Sequence, residues 1–187
     1  MGKIPDGAKE VYHGILFDVY QKEIEQFDGS VKTFEWMRWY DVVKALCVVD
    51  GKILTTSEEQ PTKIRKDFSL PGWRIDRWED PLEAIKRELK EEIGMHFSDI
   101  TCIITIPTQR WAAEWYRYFY LCSWSVVGGE ISLDAWWEKI DTSYHSFEEF
   151  LDIVKTQERF VPDFSNWIIR NYILPGKEED LRKLLFW

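Results

Sequence analysis

The pattern of hydrophobic and polar positions in the N-terminal third is typical of β-strands. Strands are predicted at residues 11–20, 31–39 and 42–49, the last of which is a nearly continuous apolar run. Asp28-Gly29 is expected to link the first two strands, and Asp50-Gly51 indicates a hairpin that leads into a short strand at 52–55. The polar stretch 56–66, which contains Pro61, predicts a loop.

The middle of the chain changes to a helical period. Asp80 is a candidate N-cap, Pro81 stands at the first helical position, and Gly94 supplies a C-terminal stop. The apolar positions between them are Leu82, Ile85, Leu89 and Ile93. Strands are predicted again at 100–106 and 115–126, amphipathic helices at 146–154 and 164–173, and a charged helix from Glu178 onward. This order predicts one α+β domain over residues 1–187.

Composition and charge narrow the class of protein. The 24 basic and 33 acidic residues give a net charge of -9, which disfavours a nucleic-acid partner. No apolar run approaches the ~18 residues of a membrane span, and the first 30 residues lack a signal-peptide pattern. The three cysteines are widely spaced in apolar segments, so we expect buried thiols and a cytoplasmic protein.

Three glutamates form a stripe on the predicted central helix. Glu88, Glu91 and Glu92 stand at positions i, i+3 and i+4, so their carboxylates share one face. Like charges at this spacing destabilise an isolated helix by roughly 0.2–0.5 kcal/mol per pair. Clustered carboxylate oxygens are the ligands that Mg²⁺ or Mn²⁺ prefers. An acidic, solvated helix face is the alternative that these three residues alone leave open.

The residues around this stripe resemble the Nudix box, Gly-x5-Glu-x7-Arg-Glu-U-x-Glu-Glu-x-Gly-U, where U is a bulky apolar residue. Residues 73–95 match it from Glu79 through Arg87-Glu88 to Met95. Only the first position departs, because Trp73 stands where the family has glycine. The resemblance implies a Nudix-type α/β/α sandwich with a mixed β-sheet and extra antiparallel N-terminal strands.

The resemblance also implies a role for each matching residue. Glu88 and Glu92 are the expected metal ligands, Glu91 a further or water-mediated ligand, and the Gly72 carbonyl a backbone ligand. The expected metal is Mg²⁺ or Mn²⁺. Arg87 is expected to orient the glutamates.

A second resemblance covers residues 14–61 and is to the ADP-ribose pyrophosphatase-like branch of the family. In that branch the N-terminal strands, here 11–40, build a homodimer, and C-terminal helices, here within 145–187, follow the core. Residues 133–151 resemble a late loop and helix, which makes Glu138 a candidate catalytic base or third metal ligand. The box resemblance also implies that Glu79 packs the loop before the helix back onto the helix.

One departure concerns phosphate binding. Relatives in this branch carry an Arg-Gln-x-Arg stretch that is replaced here by the residues at 55–60, Thr-Thr-Ser-Glu-Glu-Gln. Substitute phosphate-binding candidates are Arg74, Lys63, Arg65 and Arg110. A nucleotide base is expected to stack on an aromatic ring, for which the candidates are Tyr12, Phe17, Trp36, Trp39 and Trp111.

These resemblances imply metal-dependent hydrolysis of ADP-ribose or a related nucleoside diphosphate sugar, which would give AMP and a sugar phosphate. A nucleoside triphosphate or dinucleotide pyrophosphohydrolase is the alternative enzyme. A catalytically weakened nucleotide-binding module is the alternative outside enzymes.

Tryptophan is unusually frequent, with 11 residues against 10 glycines. Trp73, Trp78 and either Trp136 or Trp137 stand where relatives have glycine. Some bacterial lineages read UGA as glycine and other codes read it as tryptophan, so one hypothesis is that these tryptophans are glycines in the source organism. UGG codons at these positions would rule it out. Native tryptophans are the other possibility, and Trp73→Gly is then expected to raise activity or metal affinity.

Overall fold

The structure is a computed structural model that describes residues 4–59, 62–110, 113–126, 139–158 and 160–186. The strands are β1 (Lys9–His13), β2 (Phe17–Glu25), β3 (Val31–Trp39), β4 (Val42–Val49), β5 (Lys52–Glu59), β6 (Arg65–Ser69), β7 (His96–Arg110), β8 (Ala113–Val126) and β9 (Lys139–His145). The α-helices are α1 (Pro81–Ile93), α2 (Phe147–Thr156), α3 (Pro162–Ile168) and α4 (Glu178–Phe186). No helix in the described ranges has the length and apolar character that a membrane crossing requires.

A mixed sheet forms the centre of the fold. Its strand order is β6-β5-β4-β8-β7, with β9 paired to β5, and β4 runs parallel to β8 while the other pairs are antiparallel. Alternate residues of β4 face opposite sides. Val43 and Ala45 pack in the layer that contains α1, whereas Leu46 packs with Phe150 and Phe164 of the other helices. The predicted sandwich with helices on both faces is therefore confirmed.

Helix α1 begins and ends where the sequence indicates. The Asp80 side chain accepts a hydrogen bond of 2.9 Å from the Leu82 N–H, and Pro81 follows as the first helical residue. At the other end Gly94 has a φ of 66° and donates its N–H to the last carbonyls of the helix. These local signals set where the helix begins and ends, and the packing of Ile85, Leu89 and Ile93 against the sheet sets the direction of its glutamate stripe.

The N-terminal sheet contains β1, β2 and β3, all antiparallel. A single strand at 11–20 was the wrong prediction, because the chain reverses after His13. At Gly14 an added Cβ would lie 2.6 Å from the Tyr12 ring and 2.7 Å from the Phe17 carbonyl oxygen. Because glycine has no Cβ, Gly14 allows the chain to reverse this tightly between the two strands.

Two further expectations were wrong in detail. Residues 56–59 continue β5 rather than forming a loop, because β6 and β9 pair with it on its two sides and satisfy its backbone despite the polar side chains. The helix expected at 164–173 is α3 followed by a π-helical turn at Ile169–Ile173. Among the thiols, Cys47 and Cys122 are buried as expected, but Cys102 is exposed.

Candidate active site

The segment before α1 runs alongside strand β4 and is hydrogen-bonded to its backbone. The N–H groups of Val43 and Ala45 donate to the carbonyls of Trp73 and Pro71 at 2.9 and 2.8 Å. Between them Gly72 has a φ of 119°, and a Cβ there would lie 2.4 Å from the Val43 carbonyl oxygen. Glycine is therefore required at position 72.

Gly72 also joins this segment to the glutamate helix. Its N–H donates to Glu92 Oε2 at 2.9 Å. The backbone of residue 72 thus lies between the Glu92 carboxylate on one side and strand β4 on the other. This arrangement places the predicted backbone ligand beside one of the predicted carboxylate ligands.

Arg87 is the centre of the carboxylate cluster. Its Nε and Nη2 donate to the two oxygens of Glu79 at 2.9 Å each, a bidentate pair. Its Nη1 donates to Glu88 at 2.6 Å and to Glu91 at 3.1 Å. The hydrogen bonds from Arg87 lower the pKa of Glu79, and Glu79 in turn is the main cause that raises the pKa of Arg87. One guanidinium therefore contacts three carboxyl groups and fixes their positions.

Glu88 is the most buried of these carboxyls, with 5% of its surface exposed. Burial is the main cause that raises its pKa to about 7, and the charge of Glu92 adds to the effect. The adjacent Arg87 acts in the opposite direction.

The donor set fits a hard divalent cation in its chemistry. Glu88, Glu91 and Glu92 offer carboxylate oxygens, the ligand type that Mg²⁺ and Mn²⁺ prefer. Within the described ranges, no three acidic, histidine or cysteine side chains already converge in a metal-binding arrangement. Glu91 is instead directed to Arg87, and Glu92 to the Gly72 N–H. Binding a cation therefore requires rotation of these side chains within one helical turn.

On the opposite face of β4 lies a cavity of about 320 Å³. Trp39 and Trp115 form one wall, with ring centroids 5.5 Å apart and planes inclined by 30°. The cationic side chains that line it are Lys44, Lys66, Arg74 and Arg117. Trp73 also borders the cavity, so the segment 71–74 separates the carboxylate cluster from an aromatic, cationic cavity.

The structure brings together only part of the predicted set. Of the proposed phosphate and base contacts, Arg74 and Trp39 line the cavity. Lys63 is exposed, and Arg65 is paired with Asp67 at 2.6 Å. Predicted residues outside the described part are Glu138, Trp111, Trp136 and Trp137, together with the side chain of Arg110.

Cavity residues that were not predicted from the sequence include Lys44, Trp115 and Arg117. They lie on β4 and β8, which are far apart in the chain and meet only because the two strands pair in parallel. One signal was available, since Lys44 interrupts the otherwise apolar run at 42–49. A charged residue in the middle of a buried strand is rare and indicates a partner.

The tryptophans in place of glycine differ from one another. Trp73 does not have a positive φ, and its carbonyl bonds to β4, so its ring is accommodated as a wall of the cavity. Trp78 has a φ of 70° and its side chain is 93% exposed. Glycine suits the backbone at position 78, whereas nothing in the backbone at position 73 requires it.

The model of the NUDIX domain family matches residues 41–164, a range that includes β4, α1 and the cavity strand β8. The chain belongs to the Nudix hydrolase family. The resemblance predicted from residues 73–95 is thereby confirmed.

Relatives and solved structures add detail to the family assignment. The chain is 26% identical to ADP-ribose pyrophosphatase of Bacillus subtilis (strain 168), over 81% of this chain and 83% of that protein. It is 25% identical to 8-oxo-dGDP phosphatase NUDT18 of Danio rerio, over 51% of this chain but only 33% of that protein. A crystal structure of an ADP compounds hydrolase shares the fold, with a TM-score of 0.62 and 20% identity over 96% of this chain and 92% of that one.

Proposed function

We propose that this Nudix hydrolase cleaves the diphosphate bond of ADP-ribose or a related nucleoside diphosphate sugar and releases AMP and a sugar phosphate. One observation carries the proposal: the glutamate helix and the aromatic, cationic cavity adjoin the same segment, residues 71–74. A diphosphate on the helix side and a nucleoside on the cavity side would then lie within one substrate's length. The similarity to the ADP-ribose pyrophosphatase of B. subtilis supports this choice of substrate.

We propose Glu88, Glu91 and Glu92, with the Gly72 carbonyl, as the residues that would hold Mg²⁺ or Mn²⁺. When bound, such an ion neutralises diphosphate charge and lowers the pKa of a coordinated water. Arg87 positions the glutamates through its bonds to Glu88 and Glu91, and Glu79 holds Arg87 in place. The charge of Arg87 also reduces the repulsion among the carboxylates before substrate arrives.

A glutamate is the proposed general base. It removes a proton from water as the water oxygen attacks one phosphorus, and the bond from that phosphorus to the bridging oxygen breaks. Glu138 is the candidate on the late loop, and Glu91, whose side chain is 38% exposed, is the candidate on α1. With either base, the products are AMP and the sugar phosphate, and one of these two products keeps the bridging oxygen.

The cavity is the proposed nucleoside site. Trp39 and Trp115 present aromatic surface on which the planar adenine ring could stack. Arg74 lines the cavity and lies over the Tyr40 ring, with 5.1 Å between the guanidinium carbon and the ring centroid. Its carbonyl accepts a hydrogen bond of 3.3 Å from Arg87 Nη2 of the glutamate helix. The positive charge of Arg74 makes it a candidate contact for a substrate phosphate bound between the cavity and the glutamate helix.

We further propose that the chain forms a homodimer through the N-terminal sheet. Large apolar side chains are exposed there, among them Val11, Tyr12, Val31, Phe34 and Met37. Such a patch on a small sheet is typical of a protein interface. Sedimentation at several protein concentrations tests this, and a monomer throughout would contradict it. The cytoplasmic location and the single-domain extent over residues 1–187 stay predictions.

The experiment is a substrate panel with Mg²⁺, read as nucleotide products by chromatography. ADP-ribose and other nucleoside diphosphate sugars are compared with dinucleotides and nucleoside triphosphates. Fastest cleavage of ADP-ribose, abolished by EDTA, is the expected result. Preference for a triphosphate or dinucleotide would favour the alternative enzyme. Binding without any cleavage would favour a nucleotide-binding module.

A further inference from the structure

Lys44 occupies an unusual position on the central strand. Its neighbours Val43 and Ala45 face α1, so alternation along β4 directs Lys44 to the opposite side, where it lines the cavity. The residue is only 8% exposed. A lysine at such a depth must find compensation for the hydration that its ammonium group loses.

The protein supplies only a weak partner for this charge. Lys44 Nζ donates to the Leu70 carbonyl oxygen at 2.8 Å. Throughout the ranges that the structure describes, no carboxylate lies within ion-pair distance of Lys44. An ammonium group has three N–H donors, so one neutral carbonyl leaves its bonding capacity and its charge incompletely matched.

The other cations of the cavity differ in this respect. Arg117 is paired with Asp163, Lys66 lies 3.8 Å from Glu58, and Arg74 lies 3.4 Å from Asp76. Their charges are already balanced by carboxylates of the chain. The cavity cation best placed to take its counter-charge from a ligand is therefore Lys44.

The surroundings of Lys44 indicate which ligand charge would reach it. A Cβ added at Gly72 would lie 3.0 Å from Lys44 Cα, and the Gly72 N–H bonds to Glu92. Lys44 thus stands beside the segment that separates the cavity from the glutamate helix. Lys44 therefore belongs both to the lining of the cavity and to the stretch of β4 that contacts Gly72, which is where a phosphate next to a cavity-bound nucleoside would be expected.

We propose that Lys44 binds the phosphoryl group attached to the nucleoside, the one that becomes the phosphate of AMP. This inference rests on the proposed function in one respect, that the nucleoside part of the substrate occupies this cavity. It assigns phosphate binding to a strand residue, whereas residues 55–60, where the branch resemblance placed arginines, contain neither arginine nor lysine. Lys44 is then a specificity-determining residue that distinguishes nucleotides from nucleosides.

The test compares AMP with adenosine in the presence of EDTA, with tryptophan fluorescence as the readout, because Trp39 and Trp115 line the same cavity. We expect the unmodified protein to bind AMP about 10- to 100-fold more tightly than adenosine, the range for hydrogen bonds to a charged group. Lys44→Met should bind adenosine as before and lose the preference for AMP. Lys52→Met, which removes an exposed lysine of β5, is the matched control and should keep it.

Equal affinity of the unmodified protein for AMP and adenosine would overturn the inference, as would a preference for AMP that survives in Lys44→Met. Absence of binding of both compounds would overturn it too. If Lys44→Met does not fold, as judged by circular dichroism, the test uses NMR of the unmodified protein instead. The Lys44 side-chain resonance is assigned by its absence from the spectrum of Lys44→Arg. That resonance should shift on addition of AMP and not of adenosine, and the reverse result would contradict the inference.

Hydrolysis is not read in this experiment, so the two proposals can fail separately. A preference for AMP that depends on Lys44, in a protein that cleaves no ADP-ribose, would retain the inference and reject the proposed function. Cleavage of ADP-ribose without a Lys44-dependent preference would do the opposite.

Discussion

The glutamate face of α1 and the cavity across β4 are two halves of one proposed site, and they are built in different ways. The glutamate face comes from 23 consecutive residues, 73–95, whose spacing along a loop and a helix nearly determines its geometry. The cavity is assembled from β3, β4, β6, β8, the start of α3 and the segment at Trp73 and Arg74, which approach only in the folded chain. The proposed catalytic residues are thus encoded mainly by local sequence, and the proposed nucleoside site mainly by tertiary structure.

This comparison predicts that changes on the helix side alter cation binding and catalysis but spare nucleoside binding. Arg87→Lys is the sharpest case, because an ammonium group cannot reproduce the bidentate pair with Glu79 while also contacting Glu88 and Glu91. We expect affinity for Mg²⁺ to fall about 10- to 100-fold, the range for residues that orient metal ligands. Isothermal titration with Mg²⁺ measures it.

Arg182→Lys is the control for this change, because Arg182 also contacts glutamates, Glu148 and Glu179, but on the far helices. It should bind Mg²⁺ normally. An unchanged Mg²⁺ affinity in Arg87→Lys would show that the guanidinium has no part in orienting the cluster.

Changes on the cavity side should have the converse effect. Trp115→Ala removes one member of the stacked pair, and stacking of a base on an aromatic ring contributes roughly 1–3 kcal/mol. We therefore expect KM for ADP-ribose to rise about tenfold while kcat changes little, as steady-state kinetics would show. Trp115→Phe keeps a ring and should lie close to the unmodified protein. A loss confined to kcat would contradict the assignment of Trp115 to nucleoside binding.

Glu88 allows the helix side to be tested without substrate. Its pKa of about 7 in the folded protein exceeds the ordinary value of 4.5, so the folded state binds the extra proton between these limits. The stabilisation by this proton is complete below pH 4.5 and is lost as the pH rises through 7. Glu88→Gln, which remains neutral, should therefore be more stable than the unmodified protein at pH 8.5, by up to about 3 kcal/mol.

The measurement is thermal unfolding of both proteins in EDTA at pH 5 and at pH 8.5. The advantage of Glu88→Gln should be small at pH 5 and large at pH 8.5. A difference that does not depend on pH would contradict the raised pKa of Glu88.

The smallest predicted effect lies in the loop that leads to the helix. Trp78 holds a left-handed backbone conformation with an exposed ring, so Trp78→Gly should relieve strain and raise the free energy of unfolding by about 1 kcal/mol. Trp73→Gly is the comparison, because its backbone does not have a positive φ and its ring borders the cavity. Trp73→Gly should therefore not raise the free energy of unfolding. Chemical denaturation of both variants tests this, and equal effects would remove the distinction between the two positions.

The same contrast explains how much could be predicted from sequence. The N-cap, the proline at the first helical position and the terminal glycine of α1 act within a few residues, and the structure has all three in place. The strand at residues 56–59 could not be foreseen from its polar side chains, because it is paired by β6 and β9 from distant parts of the chain.

The site divides in the same way. Arg87 and Glu79 stand at box spacing, and their contact follows from it. The pairing of Trp39 with Trp115 depends on how the N-terminal sheet packs against β8, which no local pattern specifies. Lys44 is an intermediate case. Its position within an apolar strand is visible in the sequence, but its contact with the Leu70 carbonyl is not.

The central claim is that the glutamate helix serves hydrolysis of a nucleoside diphosphate sugar. Its most direct test is the rate of ADP-ribose cleavage with Mg²⁺, followed by ³¹P NMR, in the unmodified protein and in Glu92→Gln. We expect AMP and ribose 5-phosphate from the unmodified protein, and a rate at least about a hundredfold lower in Glu92→Gln, a larger effect than loss of an orienting residue. An intact diphosphate in the unmodified protein, or equal rates in the two proteins, would contradict it.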